Sequence, residues 1–169
     1  CSLPAMPTRL IRYDMPGHTH FLTFSCYRRL TFFWHDAVKQ IAIEGLRLLQ
    51  SKFTVCLVGY VIMPEHMHII VYPHARGCHE PVPISRLLHS FKRYVGQHGK
   101  QCLAKLRADR GKLWSAPLED WAATARLPFW TTRGYDFNID RLETLIEKLH
   151  YCHKNPLTRG LVRRAEDWQ

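Results

Sequence analysis

Two histidines separated by one residue, His66 and His68, stand in the run Met-Pro-Glu-His-Met-His-Ile-Ile-Val. Side chains two apart on a strand project to one face, so both imidazoles point together while Met67 turns away. Two imidazoles on one face form half of a divalent metal site. The second group equipped for chemistry is Tyr94, in Ser-Phe-Lys-Arg-Tyr, with His98 four residues on. On a helix that spacing stacks phenol and imidazole on one side, together with Leu87 and Phe91. Because those two belong to the core, Tyr94 and His98 are expected to look toward the sheet and its histidines. A phenol beside a metal held by two or three histidines, with Lys92 and Arg93 adjacent, suits phosphoryl transfer. The metal polarises a scissile phosphate and the phenolate attacks phosphorus in line. Taken singly, the features have plainer readings: a coincidental His-x-His among 11 histidines, and a half-buried core tyrosine.

The elements that must position these groups follow from periodicity. His18 to Tyr27 alternates Phe21, Thr23 and Ser25 with Leu22, Phe24 and Cys26, a strand pattern. Asp36 is a candidate N-cap for a helix to about Lys52, with Val38, Ile41, Ala42, Leu46, Leu48 and Leu49 at helical spacing. Phe53 to Met63 is β-branched and apolar, a buried strand. Pro64-Glu65 breaks it, and Met67 to Tyr72 resumes as an antiparallel partner. Ile84, Leu87, Leu88, Phe91 and Val95 predict a second helix over about 84–98, weakened by Gly96 and Gly99. Residues 100 to 127 are basic and carry no clear period. Phe129 to Phe137 reads as an aromatic strand or hairpin, and Asp140 opens a third helix closed by Asn155-Pro156. The order β-α-β-β-α-β-α predicts an α+β fold, a ferredoxin-like sandwich with helices on one face of an antiparallel sheet. Residues 1–14 are expected to be an N-terminal extension and 15–169 a single catalytic domain.

With these elements in place, the chain resembles the single-tyrosine HUH transposases, and within them the REP-associated tyrosine transposases. The segments that carry the resemblance are Tyr-Val-Ile-Met-Pro-Glu-His-Met-His-Ile-Ile-Val (60–71), Ser-Arg-Leu-Leu-His-Ser-Phe-Lys-Arg-Tyr (85–94), Pro-Phe-Trp (128–130) with Tyr135-Asp136-Phe137-Asn138, and Leu-His-Tyr-Cys-His-Lys-Asn-Pro-Leu-Thr-Arg-Gly-Leu-Val (149–162). The resemblance implies that His66 and His68 are metal ligands, with Met67 at the hydrophobic position between them. It implies that Tyr94 is the nucleophile, forming a 5′-phosphotyrosine link to single-stranded DNA and leaving a 3′-hydroxyl. His98 takes the place of a third ligand, where insertion-sequence relatives often carry Gln. The implied cofactor is Mg²⁺ or Mn²⁺, with other divalent ions suitable in vitro. The implied partner is single-stranded DNA bearing a REP-like palindromic hairpin, handled by a monomer or a homodimer. Glu65 stands where many relatives have Asn or Asp and receives no role.

The chain's 169 residues carry 24 Lys and Arg against 14 Asp and Glu, a net charge of +10. That surplus favours a polyanionic partner, nucleic acid before an anionic membrane. No apolar run approaches the roughly 18 residues of a membrane span. The basic residues run from Arg9 to Arg164 without a polybasic tail, which fits a face on a folded domain. The six cysteines form no CxxC pair, arguing against a zinc or disulfide framework and for a reducing cytosol; the resemblance implies that this is a bacterial cytoplasm. Trp114, Trp121, Trp130, Tyr135 and Phe137 interleave with Lys112, Arg126 and Arg133, rings and cations suited to unpaired nucleotides. The expected DNA contacts are Lys92, Arg93, Arg126, Trp130, Arg133 and Arg159. Two rival functions fit the same residues: a transposase-derived protein that binds structured DNA without cutting, and a metal hydrolase of small phosphoesters.

Overall fold

The computed structural model describes residues 18–75, 80–110, 118, 120–121 and 127–168. The expected N-terminal extension, residues 1–14, lies outside them. Four strands, β1 (Thr19–Cys26), β2 (Val55–Met63), β3 (His66–Pro73) and β4 (Trp130–Ile139), form one sheet in the order β2-β3-β1-β4. Every neighbouring pair is antiparallel. Three long helices among the described residues, α1 (Asp36–Lys52), α2 (Ile84–Arg110) and α3 (Leu142–Thr158), follow the element order that periodicity predicts.

Alternation along the strands sorts their side chains into two cores. Leu22, Phe24, Cys26, Met67, Ile69 and Val71 pack with Ala42, Leu46 and Leu49 of α1 and Leu87, Phe91 and Val95 of α2. On the other face, Phe21, Val61, Met63, Ile70 and Ile139 pack with Leu145, Leu149 and Cys152 of α3. The α+β class and antiparallel sheet are as expected, but α3 crosses the face opposite α1 and α2. Both sheet faces are apolar, so each demands cover. Among the described residues, no helix is long and apolar enough to cross a membrane.

Helix α2 runs a dozen residues past the expected end near 98. Of the two glycines that weaken it locally, Gly99 is a packing device: a Cβ there would lie 2.7 Å from the Phe129 ring. The close approach of Phe129 offsets the helix-propensity cost of glycine, about 1 kcal/mol. Helix α3 likewise continues through Asn155-Pro156. It ends in a Schellman motif, with Gly160 at φ 67°, Leu161 N–H donating to Pro156 O and Gly160 N–H donating to Leu157 O.

Candidate active site

The turn between β2 and β3 is two residues long, Pro64 and Glu65, with Met63 paired to His66 across it. It is tied down from outside: Phe33 N–H donates to Pro64 O at 3.0 Å and Cys26 N–H to Glu65 O at 2.9 Å. His66 and His68 therefore start β3 on a rigid corner, and both are buried on the α3 face of the sheet. Their Nε2 atoms lie 3.1 Å apart. Two ring nitrogens that close and converging match one edge of a coordination shell with bonds of about 2.1 Å. The opposite ring nitrogens are held by the protein. Nδ1 of His68 is 2.7 Å from Thr23 Oγ1, and Nδ1 of His66 is 3.2 Å from Glu65 Oε1. With each Nδ1–H donated, both Nε2 lone pairs face the common point, the arrangement in which outer-shell partners set ligand tautomers.

Glu65, given no role from sequence, organises the rim. Its Oε1 accepts from Arg29 at 3.0 Å and from Arg159 at 2.9 Å as well as from His66. These partners, the His66 hydrogen bond first, hold its carboxyl down at about 2. Arg28 and Arg29 occupy left-handed backbone conformations, φ 49° and 56°, at the end of β1, and Arg29 thereby turns onto Glu65. Strained backbone of this kind clusters at functional sites.

Helix α3 forms the other wall. Its residues at helical spacing, Glu147, Tyr151, Lys154, Asn155 and Thr158, face Thr23, His66 and His68 across an open groove of about 620 Å³. The Tyr151 ring stands edge-on to His68, centroids 5.2 Å apart, and 6.0 Å from Phe21. Tyr151 is half exposed, whereas Asn155, one turn further, is buried beside the histidines. An amide oxygen there is a hard donor that can complement two imidazoles around Mg²⁺ or Mn²⁺. Among the described residues no three His, Cys, Asp or Glu side chains cluster as a metal site; Asn155 is the buried amide that lines the groove with the pair.

A solved structure of a REP-associated tyrosine transposase bound to a REP hairpin superposes with a TM-score of 0.68, at 19% identity over 95% of this chain and 79% of that one. The fold is that of a REP-associated tyrosine transposase. A candidate transposase from Deinococcus radiodurans aligns at 14% identity over 85% of this chain and 95% of that one, with a TM-score of 0.49. No family model matches the sequence, and no curated protein matches it.

On this transposase fold the expected Tyr94–His98 pair forms but lies on the wrong side of the sheet. The two rings meet at 4.2 Å, and His98 Nδ1 donates to Tyr94 O at 2.9 Å. Both line a groove between α1 and α2, together with Arg93. Tyr94 packs against the core made by Met67, Ile69 and Val71, the β3 side chains that point away from the histidines. Tyr94 and His98 are therefore corrected as partners of His66 and His68; the tyrosine that meets the pair is Tyr151. The i, i+4 signal was present twice, as Tyr94/His98 and as Tyr151/Asn155 within the quoted closing segment.

The expected DNA contacts divide. Arg159 reaches the groove beside Glu65. Arg133 is exposed on the irregular stretch of β4 between the Trp130 and Gly134 register pairs. Lys92 lies over the Phe24 ring at 5.2 Å, and Arg93 is exposed, both on the α1/α2 side. Trp130 is no stacking surface: it is buried against Phe24, Phe33, Phe91 and Phe129, with Nε1 donating to Lys92 O at 3.0 Å. Arg126 lies outside the described residues.

Burial first, and the adjacent His66 second, push His68 down to about 3 from its ordinary 6.5. It stays neutral and ligand-ready at physiological pH. A group whose folded pKa is depressed favours the unfolded chain progressively as pH falls from the unfolded value to the folded one. For His68 that window is 6.5 to about 3, and Glu65 acts with the same sign from 4.5 to about 2. The metal-free protein should lose melting temperature steadily as pH drops from about 6.5 toward 4. His68→Gln should flatten that loss between about pH 6 and 5, and an unchanged slope in thermal melts would remove His68 as its source.

Proposed function

We infer that this protein is a metal-dependent, single-strand-specific DNA endonuclease and strand transferase of the transposase kind, with Tyr151 as nucleophile. The observation that carries the reading is the meeting, in one groove, of a half-exposed phenol with two buried imidazoles whose Nε2 atoms converge. The net charge of +10 and the likeness of fold to a transposase solved on a REP hairpin support a hairpin-bearing DNA substrate.

His66, His68 and Asn155 would hold a divalent cation, Mn²⁺ or Mg²⁺. Bound there, the ion supplies polarisation of the scissile phosphate and stabilises charge on the departing oxygen. The chain's own groups do the rest. Glu65 and Thr23 hold the imidazoles in the tautomer that leaves Nε2 free. Arg29, Lys154 and Arg159 neutralise phosphates along the rim. Tyr151 Oη loses its proton to solvent, for which the groove is open, and attacks phosphorus. The new Oη–P bond forms as the P–O3′ bond breaks, leaving a 5′-phosphotyrosine and a 3′-oxygen that takes up a proton.

The deciding experiment uses labelled single-stranded hairpins drawn from the flanks of the protein's own gene, with and without Mn²⁺, on a denaturing gel. Label that migrates with the protein only when metal is present is the expected result. Tight binding across that pool without adduct or cleavage would overturn the reading in favour of a non-cleaving structured-DNA binder.

A further inference from the structure

Strand β4 is one edge of the sheet, next to β1. The register sets His68 opposite Thr23 and Thr23 opposite Tyr135, so the three lie in one row across adjacent strands. Two inter-strand steps of about 4.8 Å put the Tyr135 backbone about 10 Å from that of His68. In the neighbouring row, Phe21 is opposite Phe137. Tyr135 and Phe137 are exposed at 49% and 36%, with rings 12° from parallel and centroids 6.4 Å apart. Lys148 reaches over from α3, its Nζ 5.3 Å from the Phe137 ring and 5.7 Å from the Phe21 ring. Phe21 in turn touches both His68, at 5.3 Å, and Tyr151, at 6.0 Å.

The interleaved aromatics of the sequence thus have different fates. Trp121 and Trp130 are buried in the α1/α2 core, whereas Tyr135 and Phe137 turn their rings outward on the histidine side. Large aromatics half in water on a sheet do little for the core, and their faces stack unpaired bases irrespective of sequence.

We propose that Tyr135 and Phe137 form a base-stacking platform for the unpaired nucleotides that flank the phosphate held at Tyr151, with Lys148 at its edge to meet the backbone. The occupant is single-stranded DNA because the patch is continuous with the groove through Phe21 and carries Lys148, whose ammonium, 3.3 Å from the exposed Glu147 carboxylate, can exchange that partner for a phosphate. Paired bases are already stacked on their neighbours and cannot present their faces, so the platform discriminates single strand from duplex. This proposal rests on the reading of the groove as a DNA-processing site.

The test is fluorescence anisotropy with a labelled 12-nucleotide single strand of mixed sequence, beside a blunt duplex of the same sequence. A second single strand carries 2-aminopurine, whose emission falls on stacking. Tyr135→Ala and Phe137→Ala should each weaken single-strand binding about tenfold or more and remove the 2-aminopurine quench. Duplex binding should stay within about twofold, since phosphate contacts carry it. Tyr135→Phe and Phe137→Tyr should bind as the parent does, and Tyr135→Leu, which keeps apolar cover, should behave as the alanine variant while melting normally. Unchanged single-strand affinity, an equal loss on duplex, or a change in oligomeric state in place of an affinity change would each overturn the platform. The Mn²⁺-dependent adduct of the parent protein is scored on the same preparations. An adduct with no platform effect defeats the platform alone, and a platform effect without any adduct defeats the nuclease reading alone.

Discussion

Tyr151→Phe should eliminate the covalent protein–DNA adduct and lower cleavage by more than about 10³-fold, while hairpin binding changes less than about twofold. The substitution removes only the phenolic oxygen. The ring keeps its edge-on contact with His68 and its contact with Phe21, so the groove and the fold should persist. Tyr94→Phe is the control that separates the two candidate nucleophiles. Tyr94 lies with His98 in the groove between α1 and α2, across the sheet from the histidines, so adduct formation should survive there. Denaturing gels with a labelled hairpin and Mn²⁺ score both variants together. An adduct retained by Tyr151→Phe and lost by Tyr94→Phe would reverse the assignment. Phosphoester turnover by Tyr151→Phe with no adduct in the parent would favour a metal-bound-water hydrolase instead.

The second large effect belongs to the imidazole pair. His66→Ala or His68→Ala should abolish Mn²⁺-stimulated cleavage, a loss of about a hundredfold or more. Each removes one of two nitrogens that converge to 3.1 Å, and one imidazole alone cannot chelate. The outer-shell groups should act more mildly and in a way that identifies them. Glu65→Gln and Thr23→Val leave both Nε2 atoms in place but loosen the tautomers, so the metal concentration for half-activity should rise about 10- to 100-fold while cleavage at saturating metal largely recovers. Titrations of cleavage against Mn²⁺ read both effects. A His66→Ala variant with the parent's metal dependence would take the pair out of the site.

Much of this arrangement was legible in the residues themselves. The alternation in β3 places His66 and His68 on one side and Met67 on the other, because a strand's side chains have period two. The β-α-β-β-α-β-α order, the antiparallel hairpin across Pro64-Glu65 and the amphipathic helices are local consequences of spacing and turn chemistry. What no local pattern states is which helix covers which face. β3 is buried on both sides, so its own pattern does not say whether α2 or α3 meets the histidines. Both helices carry a tyrosine with a polar side chain four residues on, and both present an apolar stripe. The choice is made by connection geometry. β1 runs parallel to β2 and β3 parallel to β4, so α1 and α2 are the crossovers of two parallel pairs and share the face that right-handed crossovers select. α3 follows β4, is not a crossover between two of the described strands, and takes the remaining face, carrying Tyr151 and Asn155 to His66 and His68. Glu65 was invisible for a similar reason: its partners Arg29 and Arg159 come from the two far ends of the described chain. The sequence by itself determined the imidazole pair, the fold class and the charge that suits DNA, since these depend on periodicity and composition. Only the tertiary structure decided which phenol meets the pair and which aromatics face water, because those depend on which side of one doubly apolar sheet each later element is left to cover.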